Sequence, residues 1–112
     1  MKLLRLMPVV LLCSVAGRVL ADESVWLLGA DDWARPHDGA SMVQMPPLPE
    51  VVKAWEQQPN QQLVVRYPGG EEGLLWANEL RSWLVALGIP SEYQELVAGS
   101  RRPDQIELEL TR

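Results

Sequence analysis

The stretch YPGGEEGLLWANELRSWLVALGIP, residues 67–90, decides the fold. Trp76, Leu80, Trp83, Leu84 and Leu87 fall on one stripe of a helix, while Asn78, Glu79, Arg81 and Ser82 lie largely off it. Gly88 is placed to end that helix before Ile89-Pro90. Upstream, Gly69, Gly70 and Gly73 raise the question of an anion cradle at a helix N-terminus. Glu71 and Glu72 occupy the same place and would repel an anion, but they suit the positive end of the helix dipole. The turn is therefore read as the start of a helix.

Working outward, QQLVVRY (61–67) puts Leu63, Val65 and Tyr67 on one side and Val64 and Arg66 on the other, as a central strand does. LPEVVKAWEQQPN (48–60) carries Leu48, Val51, Val52 and Trp55 at helical spacing, with Pro49 in the first turn and Pro59-Asn60 as the stop. SVWLLG (24–29) reads as a first strand and EYQELVAG (92–99) as a third. DQIELEL (104–110) alternates cleanly, with Ile106, Leu108 and Leu110 inward and Glu107 and Glu109 outward. From Ala30 to Pro47, Pro36, Asp38-Gly39 and Pro46-Pro47 break any long element, so the segment is read as a loop with room for one short strand at Ser41–Met45. The expected architecture is α+β: a β-α-β-α-β-β two-layer sandwich, a small mixed sheet with two helices on one face.

The opening MKLLRLMPVVLLCSVAGRVLA has Lys2 and Arg5 before an apolar run, then Val19-Leu20-Ala21 in the positions a signal peptidase reads. Residues 1–21 are expected to be a cleavable signal peptide, and 22–112 a single domain. The run from Leu6 to Ala16 is shorter than the roughly 20 residues of a membrane-spanning helix, so no integral segment is expected after cleavage. Leu12 before Cys13 is not a lipoprotein cleavage residue, and ordinary cleavage is the reading adopted. Without Lys2, Arg5 and Arg18, seven basic residues face fifteen acidic ones. That balance argues against nucleic acid as a partner, because phosphate binding needs Lys and Arg. Removing Cys13 with the leader also removes any disulfide, thiolate nucleophile or cysteine-based metal site.

The run WANELRSWLVALGIPSEYQELVAGS (76–100) with DQIELEL resembles the second half of an OmpA-like peptidoglycan-associated domain. The matching positions are Ala77, Leu80, Trp83, Leu84, Gly88, Ile89, Pro90, Gly99 and the strand Ile106–Leu110. The resemblance implies the same β-α-β-α-β-β order, a place in the periplasm, and peptidoglycan as a ligand. In the family, an Asp after the central strand and an Arg opening the second helix grip the two charged ends of diaminopimelate. Here Trp76 stands at the Arg position, and YPGG has no acid, although Glu71 and Glu72 follow it. The segment is also similar to small exported proteins of integrating conjugative elements, which implies an envelope-spanning, type IV secretion assembly.

The residues themselves offer no catalytic constellation. Asp31-Asp32 and Glu71-Glu72 are sequence neighbours in expected exposed turns, whereas glycosidic acid–base pairs stand about 5–10 Å apart across a substrate. His37 is the one histidine, and no metal or other cofactor is expected. Trp55, Trp76 and Trp83 lie on helix stripes and are read as core. Trp33, in DDWARPHD, is open between partner contact and local packing. The candidate binding residues are Trp33, Arg35, His37, Glu71, Glu72 and Trp76. The leading expectation is a non-catalytic periplasmic module that docks an envelope protein partner through the Ala30–Pro47 loop. A divergent peptidoglycan binder and a minor envelope hydrolase are the alternatives.

Overall fold

The computed structural model describes residues 25–35 and 37–111, so the expected signal peptide lies outside the described residues. Among the described residues the order is β1 (Val25–Gly29), α1 (Ala30–Trp33), α2 (Gly39–Met42), α3 (Leu48–Gln57), β2 (Gln62–Tyr67), α4 (Glu71–Leu87), a 3-10 turn (Ser91–Tyr93), β3 (Gln94–Ala98) and β4 (Gln105–Thr111). The strands form one mixed sheet in the order β1-β4-β2-β3. β4 is antiparallel to both β1 and β2, and β2 is parallel to β3. A parallel pair needs a crossover rather than a tight turn, and α4 supplies it. No helix among the described residues is long and apolar enough to cross a membrane.

The register explains the alternation. Leu28 pairs with Ile106, Leu63 with Leu110 and Val65 with Leu108, so one face of the sheet is a continuous apolar layer. Leu48, Val51 and Trp55 of α3, with Ala77, Leu80 and Leu84 of α4, close over it. This is the two-layer α+β arrangement anticipated from the order of elements. The centre of α4 is built of small and slender residues, Gly73, Ala77, Leu80 and Leu84, while Trp76 and Trp83 lie half-buried at its margins.

Three local expectations are corrected. First, Ser41–Met45 is not a strand. Asp38 Oδ1 accepts a hydrogen bond from Ser41 N at 2.8 Å and starts the single-turn helix α2, which buries Met42, while Met45 follows it into the core. Apolar burial three residues apart is helical spacing, not the period of two that a strand needs. Second, Trp76 and Trp83 border the core instead of filling it. Third, Glu107 lies on the sheet face opposite the helices but is only 5% exposed. Its carboxylate accepts from Arg101 N at 2.8 Å, because the loop between β3 and β4 folds over it. Glu109, on the same face, pairs with Arg66 at 2.9 Å.

Candidate functional site

The turn that starts α4 is built by backbone geometry. Gly70 has φ +93°, a conformation that a side chain disfavours, and no side chain caps the helix after it. Glu71 and Glu72 in the first turn complement the helix dipole. Gly73 is where α4 touches the turn, since a Cβ there would lie 1.6 Å from the Pro68 carbonyl oxygen.

Beside this turn the one-turn helix α1 holds Trp33. Ala30 N donates to the Asp104 carbonyl at 2.8 Å, which ties the start of α1 to the loop before β4. Trp33 then lies against Trp76, with ring centroids 6.3 Å apart and planes 34° apart. His37 also packs on Trp33, with ring centroids 4.1 Å apart, and its Nε2–H donates to the Trp33 carbonyl. Both tryptophans are half-buried and pack against the main core. The Trp76 Nε1–H is buried and has no hydrogen-bond partner among the described residues.

A cavity of about 300 Å³ opens at this place, lined by Ala30, Pro68, Gly73 and Pro103 together with Glu72 and Trp76. Four of the six sequence-derived residues therefore belong to one neighbourhood: Trp33, His37, Trp76 and Glu72. The other two do not join it. Arg35 reaches back to Asp32 at 3.7 Å and borders a separate cleft with Ser41, Gln44 and Met45. Glu71 is exposed and is not among the cavity's lining residues. Of the other lining residues, the sequence reading weighed Gly69 and Gly73 only as the start of a helix and did not single out Ala30, Pro68 or Pro103. Only Gly73, a glycine inside the first turn of a helix, carried a usable signal, because glycine there disfavours the helix unless something approaches closely.

A third cleft lies between β1 and the loop before β4, lined by Asp31, Asp32, Asp104 and Arg102 among others. Arg102 Nε donates to Asp104 Oδ1 at 3.2 Å, and that hydrogen bond holds the Asp104 carboxyl below its usual range. Among the described residues, no three His, Cys, Asp or Glu side chains are grouped so as to hold a metal ion. No family model matches the chain, and no curated protein matches it. The OmpA-like resemblance thus rests on the residues quoted above.

Proposed function

We propose that this chain is an exported, non-catalytic binding module of the periplasm that docks a protein partner within an envelope-spanning assembly. The conjugative type IV secretion class is the assembly its sequence resemblance suggests. The observation that carries this reading is the meeting of Trp33, His37 and Trp76 beside the cavity at the start of α4. Half-buried aromatic residues with a polar tip are the side chains that anchor protein interfaces. Among the described residues, Glu72 is the one ionisable side chain that lines the cavity, which suits recognition better than acid–base chemistry needing two differently tuned groups.

A divergent peptidoglycan binder is the second reading, favoured by the presence of Glu72 in the lining of that cavity. Trp76 weighs against it, because an indole cannot pair a carboxylate as a guanidinium does. One experiment separates the two. A photo-crosslinking residue at position 33 in cells is expected to trap a discrete envelope protein, while the purified domain stays in the supernatant with sedimented sacculi. Diaminopimelate-dependent sedimentation without a crosslink would replace the first reading by the second.

A further inference from the structure

The solvent side of α4 is a surface that neither the core nor the tryptophan cluster uses. Leu75 is 64% exposed, and Leu74 and Val85 are each 44% exposed. At about 100° per residue these three side chains fall on one half of the helix, with Asn78, Ser82 and Ala86 between and beside them. The crest runs about 16 Å from Leu74 to Val85. Small side chains in its middle leave the backbone approachable, as helix-on-helix packing requires. Glu71 and Glu79 sit one turn before and one turn after Leu75, and Glu72 flanks it. No ion pair among the described residues uses any of these three carboxylates. The one base of the helix, Arg81, is half-buried at the margin.

We propose that this crest docks a basic, amphipathic helical segment of a protein partner, its apolar side on Leu74, Leu75 and Val85 and its cations on Glu71, Glu72 and Glu79. A second copy of this chain is a poor occupant. It would bring the same three carboxylates, and the one base of the helix, Arg81, stands at the margin and not on the crest. An anionic membrane surface is repelled by the same acids. Charge complementarity therefore selects a cationic partner, and the exposed leucines select one with an apolar stripe. The inference rests on the reading of the chain as a binding module; it shares Glu72 with the cavity beside the tryptophans but uses neither Trp33 nor Trp76.

The test is titration of the ¹⁵N-labelled protein with a Leu/Lys amphipathic peptide of about five turns, a Leu/Glu peptide of equal length serving as the control. Shifts are expected to concentrate between residues 71 and 86. Leu75→Gln is expected to weaken binding about tenfold or more, and Glu71→Gln with Glu79→Gln to weaken it and flatten its salt dependence. An unchanged affinity in Leu75→Gln would overturn the proposal, as would shifts spread over all acidic surfaces or equal binding of the Leu/Glu peptide. So would a concentration-dependent dimer that Leu75→Gln abolishes. Trp33→Ala is expected to leave the peptide affinity unchanged. Peptide binding on the crest without a crosslink from position 33 sinks the Trp33 reading alone, and the reverse result sinks this one alone.

Discussion

At Gly73 one added methyl group decides whether α4 can start where it does. The Cβ of an alanine would meet the Pro68 backbone, which cannot rotate away as a flexible side chain can. Gly73→Ala is expected to cost about 2–3 kcal/mol by forcing the turn off the helix. Gly69→Ala, with nothing within 4 Å of its Cβ, should stay within about 0.5 kcal/mol of the parent. Urea melts of the two variants check the contrast, and equal midpoints would show that the close approach does not matter. Asp38 makes a second prediction. Its hydrogen bond from Ser41 N holds the carboxyl below its ordinary value of 3.8, so the stabilisation is complete above that value and is lost as pH falls through the lower folded one. Asparagine also caps helices but does not titrate in this range. The urea midpoint of the parent should therefore fall towards that of Asp38→Asn, or below it, as pH drops under about 4. Parallel curves would refute the link.

The longer elements were legible because their apolar side chains repeat. β2, β4, α3 and α4 each carry a period of 2 or 3.6 over at least one full face, and the structure places them within a few residues of the sequence reading. α1 and α2 were not legible. A four-residue helix completes one turn and offers no repeat to detect, so its only sequence marks are a capping Asp38 and two buried methionines. The same gap hid half of the candidate site. Trp33, Arg35 and His37 could be singled out as residues, but which of them meets Trp76 depends on the path of α1, and that path depends on the Ala30–Asp104 hydrogen bond across the fold. The packing of Trp33 against Trp76 changes what its removal should do. A tryptophan in a solvent loop would cost under about 1 kcal/mol to truncate. A half-buried one resting on the core should cost about 1–3 kcal/mol, and Leu80→Ala, from a fully buried site, about 2–5 kcal/mol. Denaturant midpoints that place Trp33→Ala level with the parent would detach α1 from the core.

On the scale of the molecule, the strand nearest the C-terminus holds the sheet together. β1 and β2 do not pair with each other, because β4 lies between them and supplies Ile106, Leu108 and Leu110 to the apolar layer. Every ladder of hydrogen bonds that joins the first strand to the rest passes through residues 105–111. Without them, β2 and β3 would remain as a two-stranded parallel pair with an open edge, and two strands are too few for independent stability. Truncation after Pro103 is accordingly expected to abolish the cooperative urea transition altogether, not to lower its midpoint. A peptide covering residues 104–112, added in excess, should restore a transition whose midpoint rises with peptide concentration, since folding then includes binding. The comparison variant is Leu27→Thr in the edge strand β1, whose side chain is exposed on the open face and whose loss should shift the midpoint by less than about 1 kcal/mol. A truncated chain that still unfolds cooperatively would mean that β2, β3 and α4 form a core of their own. The tryptophan cluster, which leans on the loop leading into β4, would then have to be tested as a separate, weaker unit.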